Sequence, residues 1–454
     1  MVGESNNLLT LEDSVSGLRK GDKIPLETGG EAEVIEEIGS GGQGAVYRVI
    51  VDGKKYALKW YAVRKLKFAD EFLDNLRQNI HDLPPSDDFL WPKFLTKRHN
   101  GNFGYLMELR PQGYSDFSAI LNNRVRFRNL YGVVLCALNI VNNFRALHRK
   151  GKFYQDLNDG NFFVDAKTGN VLICDNDNVA PDKKNLGMGG KPGYMAPEIV
   201  RGEARPDMLT DAHSLAVVLF KLFMRHDPLM GKKYVESICI TEEAEKRLYG
   251  DAPLFIFDPA DPANAPVPGV HANPLKLWPC YPDYIQQAFV KSFCQGMKNP
   301  ADRLTDNDWR NLLIRQRGEI LTCSCGVDFF ASTVKNKVQQ GVFECPSCKM
   351  PCSFPMKLET KTYYPVYLFP HNKLYQCHTD RDSDDYKSVT GEVLQNKNDR
   401  GMWGIKNLSS LVWQYSFADS PGKAVPPDGV ALIRDGARLE FHQITGTITK
   451  EQRQ

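Results

Sequence analysis

The chain carries almost no excess charge: 57 lysines and arginines stand against 55 aspartates and glutamates, a formal balance of +2 over 454 residues. That balance excludes the dense basic surface of a nucleic-acid or anionic-membrane binder, so no nucleic-acid partner is expected. Long hydrophobic runs are also missing. The longest, Gly132–Val141 and Leu215–Phe220, fall short of the ~20 apolar residues that cross a bilayer. Met1–Asn7 has neither the basic nor the apolar region of a signal peptide. No internal repeat is visible. These absences point to a cytoplasmic protein without a membrane partner, whose eleven cysteines are then not a disulfide framework.

What the chain does have is a series of residues suited to phosphate chemistry. Gly39-Ser40-Gly41-Gly42-Gln43-Gly44-Ala45-Val46 is a G-x-G-x-x-G-x-V run. Without Cβ atoms, its glycines let backbone amides approach phosphate oxygens. Val34–Ile38 before it and Val46–Ile50 after it read as strands, so the loop caps a hairpin; a dinucleotide-binding unit would place a helix after the glycines. Lys59 follows in Tyr56-Ala57-Leu58-Lys59-Trp60 and shares a strand face with Ala57. Phe68, Phe72, Leu76 and Ile80 recur every four residues and predict an amphipathic helix. Its acidic candidates are Glu71 and Asp74, with Glu71 nearer the apolar edge and preferred. Asp156, Asn161 and Asp175 then stand five and fourteen residues apart. Such a set offers one carboxylate to position a hydroxyl nucleophile, and an amide and a second carboxylate to hold magnesium.

In this order the runs resemble the motifs of the eukaryotic-type Ser/Thr protein kinase family. Lys59 is similar to the V-A-I-K lysine, Tyr154–Asn161 to the catalytic loop, and Asp175-Asn176-Asp177 to D-F-G. Gly104–Arg110 resembles the strand entering the hinge. Gly190-Lys191-Pro192-Gly193-Tyr194-Met195-Ala196-Pro197-Glu198 resembles G-T-P-x-Y-M-A-P-E, Thr210–Val217 the helix whose aspartate anchors the catalytic loop, and Pro300–Thr305 a late-lobe arginine motif. The resemblance spans residues 30–318. It implies a bilobal fold, ATP with Mg2+ or Mn2+, and protein substrates. It implies Asp156 as catalytic base, Asn161 and Asp175 on the metal, and Lys59 with Gly39, Gly41, Gly44 and Val46 on the nucleotide. Ala57 and the gatekeeper Met107 would line the adenine pocket, Glu108 and Leu109 would offer it backbone groups, and Glu71 would pair with the lysine. Phe89–Pro92, Ile173–Val179 and Leu254–Pro259 resemble a bacterial branch encoded with a phosphatase and a von Willebrand A-type protein in tellurium-resistance-type operons, which implies those two proteins as partners.

The departures from the family pattern carry expectations of their own. The H-R-D triplet is Tyr154-Gln155-Asp156, so the arginine that pairs with an activation-segment phosphate is absent. No Ser, Thr or Tyr lies between Asp175 and Tyr194. Activity is therefore expected not to depend on phosphorylation there. Asn158 stands where a lysine usually touches the transferred phosphate, and Asn176 and Asp177 replace the Phe and Gly of D-F-G. Lys191, in place of the threonine of G-T-P, is expected to supply the charge missing at 158.

The expected architecture is α+β: an N-terminal extension (1–30), a kinase small lobe (31–110), a large lobe (111–318), a zinc ribbon (319–358) and a β-sandwich (359–454). Residues 253–282 hold eight prolines but many large apolar groups, and read as an ordered insertion on the large lobe, the alternative being a partner-docking loop. Cys323 and Cys325, then Cys345 and Cys348, form two knuckles nineteen residues apart, a spacing that predicts structural zinc; Cys352 is an alternative ligand. From 360 onward short strand-like stretches alternate with turns: Tyr364–Phe369, Val389–Gln395, Trp403–Asn407, Val412–Ser416, Val430–Arg434 and Ala437–His442. They predict a sandwich, and its later strands resemble those of a forkhead-associated (FHA) domain. Two functional readings follow: a divergent protein kinase acting on Ser/Thr hydroxyls and regulated by its C-terminal domains or partners, or an ATP-binding pseudokinase scaffold that recruits partners through those domains.

Overall fold

The structure is a computed structural model that describes residues 17–41, 44–184, 186–187, 190–237, 241–360, 365–380, 383, 385–399, 401–418 and 420–450. Gly42, Gln43, Cys239 and Tyr364 lie outside the described residues. The chain divides into two units. The first draws on residues 17–118, 146–164 and 171–214, the second on 119–145, 165–170 and 215–450.

The first unit is built on a six-stranded antiparallel sheet of β1 (Lys23–Pro25), β2 (Glu31–Gly41), β3 (Gly44–Val51), β4 (Lys54–Tyr61), β5 (Phe94–Leu95) and β6 (Phe103–Glu108), in the order β1-β2-β3-β4-β6-β5. The sheet begins inside the segment expected to be a polar extension, because Ile24 and Leu26 are buried in its core. Alternation along β4 decides what each face holds. Tyr56, Leu58 and Trp60 pack with Tyr47, Val49 and Leu106 on one side. Ala57 and Tyr61 pack with Phe72, Leu76, Tyr105 and Met107 on the other. Lys59 therefore faces the second side, where α1 (Ala69–Asp82) lies. Phe72, Leu73 and Leu76 of α1 are buried there, as the four-residue spacing predicts. Gly44 is required by a close approach: a Cβ there would lie 1.9 Å from the Trp60 carbonyl oxygen.

In the second unit, the proline-rich stretch is packed. Phe255 is buried against Phe220 at 5.5 Å between ring centroids, and Phe257 stacks on Trp278 at 4.2 Å. Two short hairpins follow, Ile320–Thr322 with Asp328–Phe330 and Val342–Glu344 with Pro351–Ser353. The C-terminal residues form two sheets, a six-stranded one ending on Lys423–Val425 and a four-stranded one from Lys373–Tyr375 to Val430–Leu432. Leu358, Val393, Ile405, Trp413, Leu439 and Ile448 form their shared core. These modules are fastened to helical neighbours within the unit. The Leu130 amide donates to Asp328 at 2.9 Å, the Tyr386 hydroxyl donates to Asn139 at 2.7 Å, and the Arg317 guanidinium lies 3.7 Å from the Tyr375 ring centroid.

Helix Leu130–Arg149 is long and apolar enough to cross a membrane, with a mean hydropathy of 1.4. The sequence expectation counted only its uninterrupted run. Of its most apolar stretch 67% is buried inside the fold, which is the environment of a core helix.

Candidate active site

The second aspartate opens the site. Asp175 adopts the left-handed conformation (φ 57°, ψ 40°) and starts a tight turn, Asn176–Asn178, whose three side chains are buried. The turn separates two carboxylates. Asp175 stays 37% exposed, whereas Asp177 is fully buried. Both hold Lys59: its ammonium donates to Asp175 Oδ1 at 3.0 Å and to Asp177 Oδ1 and Oδ2 at 3.0 and 2.9 Å. The Tyr61 and Tyr105 hydroxyls donate to Asp177 as well, at 2.6 and 3.0 Å. Lys59 and Tyr105 are cross-strand partners and Tyr61 is two residues along, so the pleat puts all three on one face. Burial by itself would pull the Lys59 ammonium down, but Asp177 and Asp175 hold it above its ordinary value. Burial and then Asp177 push both tyrosine hydroxyls well above theirs.

Glu71 is not part of this arrangement. It lies on the exposed side of α1, and Asp74 is exposed and paired with Arg77. The expected lysine–Glu71 pair is corrected: among the described residues the carboxylates on Lys59 come from the turn. The buried polar residues of α1 are amides. Asn75 and Asn79 both donate to the Val179 carbonyl, at 2.7 and 2.9 Å.

The catalytic-loop residues are fixed by backbone contacts. The carboxylate of Asp211 accepts the Tyr154 amide at 2.7 Å and faces His148 Nε2 at 3.0 Å, which is the anchoring expected of that aspartate. Tyr154, in the histidine position, donates its hydroxyl to the Cys174 carbonyl. Gln155 clasps the segment beyond the turn: its amide nitrogen donates to Lys184 O, and its amide oxygen accepts from the Leu186 N–H at 3.1 Å. Asn158 donates to Asp156 Oδ1 at 3.0 Å and accepts from Gly160 N at 2.8 Å. Asn161 Oδ1 accepts from Asn158 N at 2.6 Å. Burial holds the Asp156 carboxyl above the ordinary aspartate range, and the Asn158 hydrogen bond opposes that. The Lys191 ammonium lies 2.8 Å from Asp159, while its backbone hydrogen-bonds the Asp156 carboxylate. Asn176 donates to Leu90 O and Ile173 O at 2.8 and 3.0 Å, so the turn is held by hydrogen bonds where D-F-G has a phenylalanine.

The nucleotide-side residues form one apolar surface. Ala57, Met107 and Leu172 are buried together, with Val46 and Leu109 packed against them. The Glu108 side chain turns to Lys54 and Lys93. Gly39 and Gly41 have open space where a Cβ would stand, the room a backbone cradle needs.

The protein kinase domain model matches residues 32–308, well over half of the chain. The chain belongs to the protein kinase family. It is 26% identical to the rat protein kinase C delta type over 200 residues (42% of this chain, 29% of the relative). It is 27% identical to the Arabidopsis thaliana Ser/Thr-protein kinase AtPK2/AtPK19 over 227 residues (47% and 46%). It is 26% identical to human cGMP-dependent protein kinase 2 over 206 residues (44% and 26%). The chain thus spans less than half the length of these curated relatives.

The chain also carries a candidate metal centre in its second unit. Cys323, Cys325, Cys345 and Cys348 bring four sulfurs within 4.8 Å of one another. Both knuckles sit at hairpin turns: Cys323 N donates to Val327 O, and Cys345 N to Met350 O. The Cys323–Cys348 and Cys325–Cys345 separations are 3.7 and 3.9 Å. Tetrahedral zinc with ~2.3 Å Zn–S bonds sets sulfurs about 3.8 Å apart, so the donor set fits. Cys352 lies outside the four and points to Met350 O.

Proposed function

We propose that this chain is an ATP- and Mg-dependent protein kinase that phosphorylates Ser/Thr hydroxyls on protein substrates. The observation that carries the reading is the 3.0 Å contact of Lys59 with Asp175, which joins the nucleotide-side sheet to the candidate metal carboxylate. Asp156 orients the acceptor hydroxyl and takes its proton as the oxygen bonds to the γ-phosphorus. The bond from that phosphorus to the bridging oxygen breaks, and ADP leaves. Asn161 and Asp175 offer the oxygen donors that suit a hard divalent cation, which when bound neutralises charge on the triphosphate. Lys59 and the glycine loop orient the phosphates; Val46, Ala57, Met107 and Leu109 enclose the base, with Glu108 and Leu109 backbone groups at its edge. Positioning and electrostatics supply nearly all the catalysis in this chemistry, so these groups suffice.

Transfer of label from γ-labelled ATP with Mg2+ or Mn2+, to the chain itself and to generic acceptors, tests the reading. It should be lost in Asp156→Ala; label persisting in that variant refutes the assigned base. One observation favours a pseudokinase scaffold instead: Asn158, uncharged, occupies the position beside Asp156. Nucleotide binding without any transfer would select that reading.

Our reading extends to the remaining modules. The four cysteines hold structural zinc, and the C-terminal sandwich is FHA-like, recruiting substrates or restraining the kinase. A metal assay giving no zinc near one equivalent refutes the first. The cognate partners are a phosphatase and a von Willebrand A-type protein, as in tellurium-resistance-type operons, and the compartment is the cytoplasm. Pull-down with the two proteins as bait tests the former.

A further inference from the structure

We propose that Asp177, on the turn after the metal carboxylate, is the residue that positions Lys59 for phosphoryl transfer, in the role that a helix-borne glutamate fills in related enzymes. The proposal deepens the kinase reading and rests on it.

Three observations carry it. First, the contact is two-pronged. Both Asp177 oxygens lie within 3.0 Å of the Lys59 ammonium, whereas Asp175 offers one oxygen. Second, the two carboxylates differ in what else they can do. Asp175 is 37% exposed and is the candidate metal ligand; Asp177 has no exposed side-chain surface, and the Tyr61 and Tyr105 hydroxyls occupy its remaining acceptor sites. When Asp175 turns to a metal ion, Lys59 keeps Asp177. Third, α1 offers no substitute. Its buried polar groups are Asn75 and Asn79, both committed to Val179 O, and Glu71 faces outward.

In kinases generally, the lysine–glutamate pair and the metal-bound aspartate must both be in place, and displacement of the helix breaks the first of these. Here both carboxylates ride on one four-residue stretch, Asp175–Asn178. The lysine pair and the metal ligand are thereby placed together, and the lysine's partner is not carried on α1.

The test compares Asp177→Asn, Glu71→Ala and Lys59→Met in the full-length chain, by label transfer and by thermal unfolding. Asp177→Asn should cut kcat/KM for ATP by ~100-fold at retained fold, and Asp177→Glu should recover part of it. Glu71→Ala should stay within about twofold. Transfer by Asp177→Asn within threefold of wild type, or a Glu71→Ala loss matching Lys59→Met, overturns the proposal. Should Asp177→Asn not fold, Tyr105→Phe replaces it. Removing that hydroxyl should lower kcat several-fold with the acceptor KM unchanged, and an unchanged kcat overturns the proposal.

Unfolding separates this failure from failure of the kinase reading. If wild type transfers no label, the kinase reading falls, yet the melting temperatures still decide the lysine's partner. Losses from Lys59→Met and Asp177→Asn should be strongly non-additive, and those from Lys59→Met and Glu71→Ala additive. Additive losses in the first pair overturn the proposal.

Discussion

Two polar segments border the buried face of the small sheet, and they do opposite jobs. Helix α1 contributes neutral amides, Asn75 and Asn79, which donate to one backbone carbonyl. The turn Asn176–Asn178 with its leading Asp175 contributes charge, two carboxylates on one ammonium. At the Val179 carbonyl α1 is held by dipoles, whereas Lys59 is held by charges, and no described residue of α1 supplies a carboxylate to Lys59. The lesson is that an electrostatic role can move between segments of a fold while the group it serves stays put. Lys59 keeps its strand position; the acid beside it has changed address.

This contrast can be broken most severely at the turn. Asp175→Ala should reduce label transfer by ~10³-fold or more, because it removes the candidate metal carboxylate, while Lys59 retains Asp177 and the melting temperature changes little. A large fall in stability with intact transfer in the residual folded fraction would reverse the division of labour drawn here. On the helix the expected signature is the opposite. Asn75→Ala and Asn79→Ala each remove one of the two donors on the Val179 carbonyl, a loss of about 0.5–1.5 kcal/mol for either alone and about 1–3 kcal/mol more when the double variant leaves the buried acceptor without both amides. Denaturant unfolding should register that loss, with kcat/KM for ATP unchanged in the folded protein. If either variant lost transfer without losing stability, α1 would be acting on the chemistry directly.

The smallest effect concerns acid–base balance at Asp156. Its carboxyl is raised by burial and restrained by the hydrogen bond from Asn158. A general base must be deprotonated, so activity should rise with pH through this group's pKa, above the ordinary aspartate value. Asn158→Ala removes the restraining bond, so the acid limb of kcat/KM should move to higher pH. A shift to lower pH would show that Asn158 does not stabilise the carboxylate.

Much of the fold was legible because its signals are local. The spacing of Phe72 and Leu76 revealed α1, and Val389–Gln395 and Trp403–Asn407 fall where their alternation put them. The final strand Ile444–Thr449 is not among the expected stretches, although Ile444, Gly446 and Ile448 alternate with threonines; it pairs locally with Arg438–Phe441 and at long range with Lys357–Thr360. At the site, motif spacing brought out Lys59, Asp156, Asn161 and Asp175, whose chemistry ties them to recognisable runs. In the sequence Asp177 reads only as a lost glycine, and no motif singles out Tyr61 or Tyr105. Their meeting depends on a turn folding under strands 116 and 72 residues away in sequence, and no local pattern encodes that. Glu71 was misplaced for a related reason: an acid near an apolar stripe says nothing about which way the lysine's charge is met.

On the kinase reading proposed above, Gln155 bears on how activity is governed. Its amide closes on Lys184 O and Leu186 N, two uncharged backbone groups, and the stretch from Asp175 to Tyr194 contains no hydroxyl between its ends. Elsewhere in the family an arginine at this place waits for a phosphate, and the covalent mark outlasts the signal that made it. A latch of neutral amides stores no such record. On that reading the segment keeps no memory of past encounters with another kinase, and any such history is expected to be written somewhere else.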